Sequence, residues 1–408
     1  MDAMHMLTVM LLAASQLHAS SAGSAAPSYE VLRHGRNSQG CDRVSVSRRS
    51  RMSISSHSDS DDGASVFDYT KSSDDRCESA TVVGVLTYTN AEDDITNMPF
   101  GSYAIFRERT GSSDRALSVA PGSDGQIVRS YQLNRQNVPY DADAQRWFAG
   151  FLPRVLMESG MNVKPRVARW RVQGGVDNVL SHVETISSSG SKRAHLEALL
   201  DGGKLSDDDL ERILRKTAES LHGSSGDLRA VLTRVAPSGH LSRRSISALE
   251  TALLAMPSSG DKTAVAQIYG QTGDRDMLLA MMRVAQTIPS SGDRSNLLRI
   301  LAPRYLADSD RELQAAYFTV ARQIPSSGDM RNVLQMAIPY AGRSAEIARQ
   351  VIETSRAIAS SGDRSAVLIT LVSSGALQTK ALKDAFFDAA SEIPSEGDRS
   401  RVLRAAAR

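Results

Sequence analysis

With 48 Lys and Arg against 46 Asp and Glu, the 408-residue chain is too evenly charged to carry the concentrated basic face of a nucleic-acid binder. Its two cysteines exclude a disulfide-stapled miniature fold. A hydrophobic share of 41% supplies a core, and an aromatic share of only 5% requires that core to be built from aliphatic residues and methionine.

In chain order, residues 7–14 (LTVMLLAA) form a short apolar run followed by small residues. They read as the hydrophobic core of a signal peptide spanning 1–26, and imply export. The run is too short to span a bilayer, and no later stretch is long enough, so no transmembrane segment is expected in the mature chain. Residues 27–78 are rich in Ser, Asp and Arg and read as a flexible segment, with weak alternation at Val44, Val46, Met52 and Ile54. Within it, the acidic run after His57 fails the spacing of a calcium loop, because Ser58 and Ser60 stand where acids are required. Export would let Cys41 and Cys77 pair. Residues 79–137 change character: 82–88, 102–107, 116–119 and 127–133 are β-branched or aromatic, with turns at 110–114 and 122–125. They predict a small antiparallel β module. Connecting helices follow over 138–189. One spans 142–160, with Trp147, Phe148, Phe151, Leu152 and Val155 on one face. Next comes a hairpin over 165–186, broken at Gly174–Gly175.

From 190 to 408 the chain repeats. IPSSGDRSNLLR at 288–299 returns as IPSSGDMRNVLQ, IASSGDRSAVLI and IPSEGDRSRVLR, with looser copies upstream. The marker glycines Gly190, Gly226, Gly260, Gly292, Gly328, Gly362 and Gly397 recur roughly every 34 residues, a helical-hairpin period. An apolar residue stands four places before each, except at Gly226, where His222 fills the slot and Leu221 is the expected substitute. The acids after glycine (Asp227, Asp261, Asp293, Asp329, Asp363, Asp398) are suited to cap or open the next helix. The glycines are expected in a turn at positive φ. Two apolar residues follow each acid at four and five places, such as Val333 and Leu334, and face inward. A single hairpin cannot bury its own face, so the units must stack. The fold class is α+β: a β module followed by an α-solenoid.

The segments GSYAIFRERTG (101–111), SDGQIVRSYQLN and PYDADAQRWFAGFLP, together with the GDRSxVL ladder, resemble a group of uncharacterised bacterial envelope proteins. Similar segments lie behind membrane zinc-peptidase sensors of the β-lactam-receptor type. The resemblance covers 82–408 and implies an exported periplasmic or envelope location. It transfers no catalytic residue, because the HExxH of the peptidase half is missing.

Nothing in the spacing of the eight histidines, and no CxxC or GxSxG, marks a catalytic, cofactor or metal site. Ser206 followed by Asp207, Asp208 and Asp209 reads as a helix cap with a complementary first turn, and Asp141 and Asp143 read likewise. The glycine–acid pairs are structural turn and cap positions, which stacking would also place in a row. Hydroxyls, carboxylates and the adjoining Lys262, Arg294, Arg364 and Arg399 could then grip a peptide or glycan. The expectation is a non-enzymatic scaffold with a protein partner, no nucleic acid and no cofactor. The alternatives are a sensory accessory that binds a small ligand or cell-wall fragment, and, third, a hydrolase.

Overall fold

The computed structural model describes residues 41, 51–58, 65–73, 75–236 and 240–407. The expected signal peptide, residues 42–50 and the acidic run 59–62 lie outside the described residues. The chain falls into two compact units, divided between Val155 and Leu156.

Among its described residues the first unit is built on nine strands: β1 (Arg51–Ser58), β2 (Ser65–Ser72), β3 (Arg76–Val83), β4 (Thr87–Tyr88), β5 (Ile95–Asn97), β6 (Tyr103–Thr110), β7 (Ser113–Pro121), β8 (Ile127–Leu133) and β9 (Gln136–Val138). Seven form one antiparallel sheet in the order β1-β2-β3-β6-β7-β8-β9, and β4 pairs with β5 separately. The sheet therefore begins inside the segment expected to be flexible. Polar composition conceals the run VFDYT in β2, whose Tyr69 is buried and registers with Ala80 of β3. The disulfide Cys41–Cys77, with Cα atoms 5.7 Å apart, ties residue 41 to the start of β3. The single strand expected over 82–88 is interrupted at Gly84. Its φ of +84° and the closeness of Ser102, which a Cβ would strike, both require glycine.

One sheet face is a line of registered residues, Tyr69, Ala80, Phe106, Leu117 and Tyr131, all buried. On it lies α1 (Ala142–Ser159), whose Phe148 ring sits 5.2 Å from Phe106 and whose Trp147 sits 5.6 Å from Tyr131. Asp141 caps α1, as expected, by accepting hydrogen bonds from the Asp143 and Ala144 amides.

The second unit is the helical array. It opens with α2 (Val163–Thr185), which departs from helical geometry at Gly174 and Gly175, the expected break. Then follow α3 (Ser189–Asp201), α4 (Asp207–Leu221), α5 (Ser225–Val235), α6 (Arg243–Leu254), α7 (Ser259–Thr272) and α8 (Arg275–Gln286). The array continues with α9 (Ser291–Leu306), α10 (Arg311–Arg322), α11 (Ser327–Ala341), α12 (Ala345–Ser355), α13 (Ser361–Ser373), α14 (Lys380–Ser391) and α15 (Glu396–Ala406). From α3 onward, odd helices pack on odd neighbours and even on even, giving two layers. The apolar pairs after each acid are fully buried between them, from Val231/Leu232 to Val367/Leu368. Each such valine or leucine side chain contributes roughly 1.5–3 kcal/mol. In the last copy Val402 is buried but Leu403 is 40% exposed, because no further described helix packs on α15. Leu221 is buried and His222 exposed, so leucine does take the apolar slot in that copy.

Candidate functional site

The row of turns was the sequence-derived candidate, and the structure revises its parts. In SSGD the first serine is the cap: Ser258, Ser290, Ser326 and Ser360 each accept the amide N–H of the acid three residues on, at 3.2 Å. Ser395 accepts from Asp398 in the same way at 3.3 Å. The acids are therefore third-position residues and not caps. Glycine falls at the second helical position, and none of the seven marker glycines has positive φ. The helix therefore starts three residues earlier than a capping acid would place it, because a serine side chain satisfies the free helical amide without any left-handed residue.

The second serine and the acid have another task. Ser225 Oγ accepts the amide N–H of Ser258 in the next hairpin at 2.9 Å, Ser327 that of Ser360 at 3.1 Å, and Ser361 that of Ser395 at 3.4 Å. At the head of the array Glu158 substitutes for a serine: its carboxylate accepts the amides of Ser187 and Ser188 and the Ser187 hydroxyl. The acids form rungs alongside. Asp227 pairs with Arg193 and Asp261 with Arg229, each at 3.2 Å, and Asp363 with Arg331 at 2.6 Å. Asp329 accepts from Ser291 Oγ at 2.7 Å. The row is a rail of hydrogen bonds and ion pairs that couples α3 to α5, α5 to α7, α9 to α11, α11 to α13 and α13 to α15.

The cations beside the acids turn inward. Arg294 is buried and donates to the carbonyls of Ile288 (3.0 Å) and Gln323 (2.7 Å), at the ends of α8 and α10. Arg364 donates to the Ala389 carbonyl in α14 at 2.7 Å, and the less buried Arg399 to that of Ile393 at 3.2 Å. Lys262 is buried, which holds its ammonium pKa below the usual lysine range, and it donates to Thr287 Oγ1. These residues satisfy the carbonyls that helix ends leave open, and are not presented as a gripping row.

Sequence reasoning missed three polar clusters. In the β module, Glu78 and Glu108 stand opposite one another on β3 and β6. Arg76 and Arg154 bridge both carboxylates, and Trp147 Nε1 donates to Glu108 at 2.7 Å. In the first hairpin, buried Arg166 donates to the carbonyls of Leu156 and Met161 and contacts His195 Nε2 at 3.1 Å. The His195 Nδ1 lies 2.8 Å from the Ser191 carbonyl, so this ring is committed to helix ends. Between α6 and α8 a shallow groove of about 270 Å³ is lined by Arg243, Glu250, Asp276 and Arg283. Its charges pair with one another at 2.8 Å. For the ion pairs of the rail the sequence did hold a signal, an arginine two residues after the acid, at Arg229 and Arg331.

Ser206 caps α4 as expected, and Asp209 returns the bond to its backbone. Among the described residues no helix is long and apolar enough to cross a membrane. No family model, curated protein or solved structure matches the chain.

Proposed function

We propose that this is a non-enzymatic scaffold, exported to the bacterial cell envelope, whose helical array presents a surface to a protein partner. The observation that carries this reading is the two-layer stack of hairpins. Its polar groups at the turns are spent on coupling neighbours, so the array is held as a long, regular platform. The paired charges at Glu78/Glu108 and in the α6/α8 groove likewise serve internal contacts. The Cys41–Cys77 disulfide supports export, since such bonds persist in oxidising compartments.

The test is affinity capture from envelope extracts with the full chain, beside a chain whose solenoid is unfolded by Leu334→Asp. One partner retained in stoichiometric amount by the native chain alone is the expected result. Equal retention by both chains, or none by either, overturns the reading. Cell fractionation tests location, and recovery in the cytoplasm with an intact N-terminus refutes export.

A further inference from the structure

Because the array repeats, each position can be compared with its counterparts, and α14 and α15 break the pattern. The second residue of the inward pair is fully buried as Leu232, Ala266, Leu298, Leu334 and Leu368, whereas its counterpart Leu403 is 40% exposed. Ten places before the marker glycine, Met282, Phe318 and Ile352 are buried on α8, α10 and α12, whereas Phe387 on α14 is 44% exposed. Lys383 is exposed where Leu278, Gln314 and Ala348 are buried. What covers the earlier side chains is the following pair of helices. The forward face of α14 and α15 is therefore a stacking surface on which no described helix lies. Glu396 belongs to it, because it holds the place from which Ser225, Ser327 and Ser361 bond across to the next odd helix.

The charges on this face are polarised. Helix α14 ends, and α15 begins, at the edge that bears the serines, so Asp388 and Glu396 lie toward that edge. Lys383 and Arg404 lie toward the opposite one. All four are exposed, and among the described residues none is in an ion pair. The other charges on the two helices are engaged: Lys380 pairs with Asp384, Arg401 with Asp398, and Arg399 donates to the Ile393 carbonyl.

We propose that this end face binds a second copy of the same chain about a two-fold axis, with α15 antiparallel to its copy and α14 antiparallel to its copy. It goes beyond the scaffold reading and does not depend on it. A face that is acidic along one edge and basic along the other complements itself only when turned end over end. A parallel arrangement would set acid against acid and base against base. The levels of the side chains agree. Ser391 and Glu396 flank the turn at about the same level, so Phe387 and Ser400, each four residues inward, are level too. An axis there stacks Phe387 on its own copy and brings Glu396 level with Arg404 of the second copy. It also sets Leu403 against Gly397 of the second copy, which has open space where a side chain would be. Lys383 comes within one turn of Asp388 of the second copy.

The test is sedimentation equilibrium of the full chain over a range of concentrations, where a monomer–dimer equilibrium is expected. Leu403→Asp and Phe387→Asp should each raise the dimer Kd roughly tenfold or more. Leu254→Asp, an equally exposed site at the end of α6, should leave it unchanged. Glu396→Arg and Arg404→Glu should each weaken self-association, whereas the two variants mixed should associate as tightly as the native chain, because each then meets its opposite. All five sites are exposed, and unchanged circular dichroism and Tm exclude misfolding as the cause. A monomer at every concentration, a dimer indifferent to Leu403→Asp and Phe387→Asp, or no recovery on mixing overturns the proposal. A strictly monomeric chain that still captures a partner from extracts overturns the dimer and leaves the scaffold reading standing. A native dimer that captures nothing does the reverse.

Discussion

Removing the Ser327 hydroxyl tests whether the rail couples hairpins or merely decorates their ends. Ser327→Ala deletes the acceptor that receives the Ser360 amide at 3.1 Å. A buried donor left without a partner costs about 1–3 kcal/mol. Ser360 is only half-buried, so water recovers part of this and the expected loss is about 1–1.5 kcal/mol. Ser326→Ala is the natural comparison. It removes the cap on the Asp329 amide inside the same hairpin and costs about 1 kcal/mol. The two losses are close in size, so total stability cannot separate them and location must. Hydrogen exchange resolves it. Ser327→Ala should deprotect the first turn of α13, in the following hairpin, and leave the first turn of α11 as it was. Ser326→Ala should do the reverse. If Ser327→Ala deprotected only α11, or nothing, the coupling role assigned to the second serine would be refuted.

Three further outcomes are expected. Gly328→Ala should stabilise by about 0.4–1 kcal/mol in urea unfolding, because the site has ordinary φ and open space for a Cβ, whereas Leu334→Ala should cost about 2–5 kcal/mol. Cys77→Ser should lower the stability of the β module by about 3–4 kcal/mol, the loop-closure contribution for a separation of 36 residues, and a free-thiol count of zero on the native chain checks the bond first. The Asp310 carboxyl is held below its usual range by the Arg275 hydrogen bond, and Asp201 by that of Arg234. A depressed carboxyl stabilises the fold above its unfolded pKa of about 4 and loses that contribution as pH falls through the folded value. Urea midpoints should therefore fall below about pH 4, with a shallower slope in Arg275→Gln.

Periodic patterns were legible in the sequence wherever one face of an element is buried. The aromatic stripe of α1, the break at Gly174–Gly175 and the inward pairs such as Val333/Leu334 all follow from local spacing. Two things were not. The β1–β2 hairpin lies in polar sequence, and it joins the sheet through the adjoining β2–β3 hairpin, a pairing that composition does not encode. The cap within SSGD lies three positions before the acid, and the sequence left this open because either serine, or the acid, could cap a helix. Only the serine–acid spacing of three points to the first serine, and nothing local says that the second one serves the next hairpin. Contacts between repeats join residues about 33 apart, beyond the reach of any amphipathic pattern.

The lengths of the helices show where this molecule has been free to change. Even helices from α6 to α14 hold to 12, 12, 12, 11 and 12 residues, while odd helices from α5 to α15 run 11, 14, 16, 15, 13 and 11. The irregularity in the period is thus discharged at the far ends of the odd helices and in the loops after them, from two residues before α8 to seven before α6. The edge that bears the serines keeps strict measure, since a residue gained or lost there would break the hydrogen bond to the adjoining hairpin. The opposite edge can be lengthened or shortened, or a whole hairpin inserted between two serines, without disturbing the bonds that join α5 to α7, α11 to α13 and α13 to α15.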